Sequence, residues 1–167
     1  MANPTPITND LMLLTIIGED LKIIVDELAK WLLEELQKSI EGVVYGAGSP
    51  SVYQRQRYDG GLIGSFLKKD TNRVANLIES GIEQDPTNMN VDPENYIHGS
   101  LDWEMDDVRE LLTDWIIGGD SGNRFGNGFW RAPRDFWSPI EDMISDGRLD
   151  AAFERLMTAH GIVFTRA

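Results

Sequence analysis

The tetrapeptide Gly119-Asp120-Ser121-Gly122 has the form of a turn around a nucleophilic serine. Such a serine needs a histidine base and an orienting carboxylate brought to it by other elements. The histidine that precedes it is His98, in a stretch rich in Pro and Asn, so no triad is expected. Asp85, Asn88, Asn90, Asp92 and Glu94 offer oxygen ligands over a short span, as a calcium loop would. The alternating spacing, central Gly and closing Glu of such a loop are missing, and Pro86 and Pro93 stiffen the chain, so a solvated turn is expected. His98 and His160 have no second His or Cys at metal-ligand spacing. His160 instead falls at the end of a predicted helix, where a cation suits the helix dipole. Asp106-Asp107 and Glu141-Asp142 are sequence neighbours, which a helix points about 100° apart, a poor arrangement for shared acid–base work. Gly46-Ala47-Gly48 lacks both the further Gly and the Lys of a phosphate loop. These residues predict no catalytic group, no cofactor and no metal, and hence no enzyme.

Two other stretches carry the residue types that most often supply binding energy at protein interfaces. One holds Tyr53, Arg55, Arg57 and Tyr58 and runs through Gly60-Gly61, a pair that tolerates a chain reversal. The other holds Trp130, Arg131, Arg134 and Trp137 between the prolines Pro133 and Pro139. Stacking of bases on the same aromatic residues would be a rival use. The charge of the chain opposes it.

That charge is −13 over 167 residues, from 28 acidic and 15 basic side chains. A protein that grips nucleic acid needs a basic face. An acidic one stays soluble and lets a polyanion pass without sticking. With 41% apolar and 26% charged residues and no cysteine, the chain reads as a globular domain without disulfides or thiolate sites. No apolar run reaches the roughly 18–20 residues that span a bilayer, so no membrane partner and no signal peptide are expected. The length suits a single domain, with residues 1–9, bearing Pro4 and Pro6, as a flexible arm.

The elements that must position the two stretches follow from periodicity. Leu21, Ile24, Val25, Leu28, Leu32, Leu36 and Ile40 recur every three or four residues and predict a long amphipathic helix from Glu19 to about Ile40. Gly18 is expected to break or kink it from a shorter helix over Leu11–Ile17, although a continuous helix would cost only about 1 kcal/mol there. Gly42 is expected to end it, with Val43-Val44-Tyr45 either starting a strand or adding a turn. Arg73–Ile78 reads as one strand. Residues from about 85 to 128 read as an insertion and loops. They include an acidic, Trp-bearing helix over Trp103–Ile117 and the Gly-rich tract Gly118–Gly128. A last helix or helix pair is expected over Ile140–His160, and Ile162–Phe164 as a short closing strand. The fold class is α+β: a long N-terminal helix and a C-terminal helix packed on a small antiparallel sheet.

The order of these elements and three short strings resemble the tail-completion or neck proteins of long-tailed phages. In that family a long helix leads to an Arg/Tyr loop with a Thr-Gly-x-Leu-x-x-Ser type turn. Arg57–Ser65 follows this pattern with Gly60 in place of Thr. Asp114-Trp115-Ile116-Ile117-Gly118-Gly119 stands where the family has a Tyr-Ala-x-x-Val-Glu-x-Gly-like segment. Arg131–Pro139 resembles the Arg-Pro-Phe-Leu-x-Pro-Ala-like entry to the last helix, with two extra residues. The resemblance spans about Glu19 to Ile162. It implies a non-enzymatic virion subunit, assembled in the host cytoplasm, that forms a ring, expected to be a hexamer, between head connector and tail tube. Its partners would be further copies of itself, the connector or adaptor and the tail-tube proteins, with DNA passing through unbound. A minor tail or head-connector adaptor is the alternative within the particle, and a cytosolic protein-interaction adaptor the alternative outside it.

Overall fold

A computed structural model describes residues 10–46, 57–90, 105–119 and 132–163. Helix α1 runs unbroken over Asp10–Ile40, 31 residues and about 46 Å long. It passes straight through Gly18, where a break was expected. Gly18 is buried, and a Cβ there would come within 2.8 Å of the Arg73 guanidinium, so the glycine admits a close neighbour. Nor does the helix stop at Gly42. It widens into a π turn over Glu41–Tyr45, closed by the Gly46 N–H donating to Glu41 O at 2.8 Å. After Gly60 and Gly61 comes a single helical turn, α2 (Leu62–Ser65).

Strands β1 (Phe66–Lys68), β2 (Asn72–Val74), β3 (Leu77–Glu79) and β4 (Ile82–Gln84) follow. Arg73–Ile78, expected as one strand, is a hairpin: β2 and β3 pair antiparallel around Ala75-Asn76, with Ala75 at φ 55°. Phe66 faces Gln84 and Lys68 faces Ile82, and the ladder continues with the Lys69 N–H donating to Gly81 O at 2.8 Å. The next pair is Asn72 with Glu79. Asp70 and Thr71 thus stand opposite Ser80 alone. The strands make two separate antiparallel pairs, β1 with β4 and β2 with β3, joined by an irregular bulge of Asp70 and Thr71 against Ser80. Here it turns Thr71 down onto α1, where its hydroxyl donates to Asp26 Oδ1 at 2.7 Å. Lys68 reaches the same oxygen at 2.5 Å, and Lys30 holds Oδ2 at 2.8 Å. These three donors hold the Asp26 carboxyl well below the usual carboxylate range, Lys30 contributing most.

The arm is followed by a short 3₁₀ turn (Pro86–Asn88), α3 (Met105–Gly118), α4 (Ser138–Ser145) and α5 (Arg148–Ala159). The last two are the expected helix pair, separated by Gly147 at φ 85°. Ile162 and Val163 are not in a strand. Mostly helical, with small antiparallel strand pairs, the protein is α+β. Its core gathers Leu36, Ile40, Val44 and Tyr45 from the end of α1 and the π turn, with Leu62, Ile63, Phe66 and Met89. Ile116 of α3 and Phe136, Ile140 and Met143 of the C-terminal part complete it. Phe66 meets Phe136 and Trp137 edge-on, at 5.9 and 5.8 Å between ring centroids. Among the described residues, no helix is long and apolar enough to cross a membrane.

Candidate functional site

The π turn is where the two interface stretches meet. Its sequence, Glu41-Gly42-Val43-Val44-Tyr45, contains two β-branched residues and a glycine, weak formers of a tight α turn. The wider turn leaves the Val44 carbonyl open, and Arg134 Nη1 donates to it at 3.2 Å. It also turns Tyr45 inward, where its hydroxyl accepts the Leu62 N–H at 3.2 Å and so satisfies the start of α2. On the other side of the ring lies Arg57, its guanidinium carbon 5.4 Å from the centroid, and the same guanidinium pairs with Glu41. A cation over an aromatic face is worth about 0.5–1 kcal/mol at an exposed site. Glu41 Oε2 is buried and has no hydrogen-bond partner among the described residues.

Arg57 and Tyr58 are held here by a backbone contact. Gly64 donates its N–H to Arg57 O at 3.2 Å, and a Cβ on Gly64 would lie 1.6 Å from Tyr58 O. No side chain fits there. The Arg57 side chain stays about half exposed, and Tyr58 is 63% exposed.

The second stretch is anchored more deeply. Arg134 N–H donates to Ile116 O at 2.9 Å, and Ser39 Oγ donates to Phe136 O at 2.8 Å. Trp137 packs in the aromatic cluster, and Phe136 is fully buried. Asp135 accepts the N–H groups of Trp137 and Ser138, both at 3.0 Å, and the Ser138 hydroxyl at 2.5 Å. These donors lower its pKa, the Ser138 hydroxyl acting most strongly. Arg134 and Trp137 therefore fasten this segment to the core, whereas Arg57 and Tyr58 face outward. Tyr53, Arg55, Trp130 and Arg131 lie outside the described residues, as do residues 1–9, His98, Asp92, Glu94, Ser121 and Phe164.

Asp85 and the second histidine, His160, have structural uses. Asp85 accepts the Thr87 N–H and hydroxyl at 3.0 and 2.6 Å, capping the 3₁₀ turn. His160 stands at the C-terminal cap of α5, and its Nε2 lies 3.4 Å from Glu27 Oε2 on α1. Glu141 and Asp142 are exposed. Among the described residues, no group of three His, Cys, Asp or Glu side chains could hold a metal ion. A polar cleft of about 540 Å³ opens at the bulge between Lys68, Lys69, Asp70 and Glu79, with Lys69 paired to Glu83 at 3.0 Å.

Tyr45 and Glu41 organise this site, yet neither was singled out from the sequence. Their signal was the unresolved choice between strand and helix at Val43-Val44-Tyr45. Arg57 and Tyr58, exposed at one end of α1, can meet a protein surface through charge and ring contacts. Compared with known proteins, the chain matches no family model, no curated protein and no solved structure.

Proposed function

We propose that this protein is a structural subunit of a phage or phage-like particle, forming a ring at the head–tail neck or the tail end. The observation that carries this reading is the Arg57–Tyr45–Arg134 junction. An Arg/Tyr loop and an Arg/aromatic entry to the last helices, two of the three strings that resemble neck proteins, converge on the end of the long N-terminal helix. The chemistry offered at that junction is contact: an exposed guanidinium and phenol beside a rigid π turn. The net charge of −13 supports a lumen through which DNA slides without being held.

Purified particles from the source of this chain should contain it at a fixed, small copy number by quantitative mass spectrometry. Its gene should lie among other virion genes. Absence from purified particles sinks the proposal. Isolation of a stable monomer bound to a host cytosolic protein would favour the adaptor reading instead.

A further inference from the structure

Asp-Gly occurs twice in the chain, at Asp59-Gly60 and Asp146-Gly147. The pair has a chemistry of its own, because a glycine leaves the backbone nitrogen after an aspartate open to that aspartate's carboxyl carbon. The two pairs are held differently. Arg148 donates its backbone N–H to Asp146 Oδ1 at 3.1 Å, and its Nε reaches both carboxylate oxygens, at 3.1 and 2.8 Å. Turning the Asp146 carboxyl onto the Gly147 nitrogen must break these bonds. Asp59 is exposed, and among the described residues neither its carboxylate nor the Gly60 N–H has a hydrogen-bond partner. The Gly60 carbonyl accepts the Asn90 N–H at 2.8 Å, so the nitrogen is the unoccupied group of that residue.

We infer that Asp59-Gly60 is a self-modification site, at which Asp59 converts to isoaspartate while the protein stays folded. The Gly60 nitrogen attacks Cγ of the neutral Asp59 acid. An N–Cγ bond forms, the Cγ–OH bond breaks, and the hydroxyl leaves with the amide proton as water. Water then opens the five-membered imide at one of its two carbonyls. Opening at Cγ restores aspartate. Opening at the former backbone carbonyl breaks its bond to nitrogen, so the chain runs on through Cβ and Cγ. The water lost is regained, and no oxidant or cofactor enters. The product has one more backbone atom between Tyr58 and Gly60, inside the span that the Gly64 N–H closes on Arg57 O at 3.2 Å. Gly64 is packed on Tyr58 O too closely to admit even a Cβ, so that span has no slack. Conversion therefore lifts Arg57 from the Tyr45 ring. Nothing in this chemistry requires the ring proposed above.

The test holds the full chain, as wild type and Asp59→Glu, for weeks at neutral pH and physiological temperature, both folded and in urea. Trypsin places the two pairs in separate peptides, Tyr58–Lys68 and Asp135–Arg148. Isoaspartate is quantified in each as a peptide of unchanged mass and shifted retention, located by electron-transfer fragmentation. In the folded protein Asp59 should convert several-fold faster than Asp146, and in urea the two rates should come together. Folded protein in which Asp59 stays unconverted, or in which Asp146 keeps pace with it, overturns the inference. So does a preference for Asp59 that persists undiminished in urea, since the fold then does not set it. The melting temperature of wild type should fall with conversion, and by more than that of Asp59→Glu, whose longer side chain closes its ring far more slowly. Equal shifts in the two proteins overturn the assigned loosening of Arg57.

Discussion

Arg73 lays its guanidinium against Gly18, so the hairpin is seated on α1 through a missing side chain. The atom a methyl group would meet is the free end of a flexible side chain. Gly18→Ala should therefore displace Arg73, gain up to about 1 kcal/mol of helix propensity and raise the melting temperature. The contrasting case is Gly64, where the obstacle is the Tyr58 backbone at 1.6 Å. Gly64→Ala should cost about 3 kcal/mol or more and detach Arg57 from Tyr45. Urea unfolding of both variants checks the opposite signs.

Ala75 occupies the first position of the two-residue hairpin turn at φ 55°. A non-glycine residue is strained there, and glycine is the residue such turns favour. Ala75→Gly should stabilise the protein by about 0.5–1 kcal/mol, read as a higher denaturation midpoint at unchanged slope. A lower midpoint would contradict the turn geometry.

Asp26 joins α1 to both sides of the bulge through Lys68 and Thr71. Asp26→Asn should cost about 1–2 kcal/mol at neutral pH. The folded-state pKa lies below the unfolded value near 3.8, so this stabilisation is complete above that value and is lost as pH falls toward the folded one. The stability gap between wild type and Asp26→Asn should stay level from pH 7 to about 4 and narrow below it. A gap that widened in acid would reverse the assigned sign.

Asp135, exposed and two residues before the Trp137 N-cap, accepts the N–H groups of Trp137 and Ser138 at the start of α4. Asp135→Ala should cost about 1 kcal/mol through the lost hydrogen bonds to Trp137 and Ser138, while Asp135→Asn should retain most of the stability. Thermal melts of the two variants separate hydrogen bonding from charge.

Assembly is tested at Arg57 and Tyr58 rather than at Arg134, which is bonded to Val44 and Ile116. Arg57→Glu with Tyr58→Ala should lower the yield of assembled particles several-fold while shifting stability by only about 1 kcal/mol. Normal particle yield would remove these two residues from the contact.

The helical half of the fold was legible because burial imposes a period. Ile24, Leu36 and Ile40, picked out by spacing, are fully buried. What periodicity cannot carry is the effect of distant neighbours. Gly18 reads as a breaker until Arg73 is seen beside it, and Ala75-Asn76 lacks the glycine that marks a hairpin in sequence. The aromatic segment illustrates the same limit. Phe136 and Trp137 have the composition of a contact surface, but Phe66 and Ser39, far away in sequence, turn them into core. The candidate site was legible as two separate stretches. Its centre, Tyr45, was not, because a π turn depends on what its open carbonyl and inward ring find to bind.

The π turn also fixes a phase. Each residue in a helix advances the direction of its side chain by about 100°, so the turn acts as a one-residue offset at the end of a long screw. Deleting Val43 would close the turn to ordinary α geometry and leave Tyr45 near its present direction, whereas removing a residue from the α part of the helix would swing it by about 100°. The wide turn is thus the place where the chain can gain or lose one residue while the junction keeps its aim on the helix that supports it.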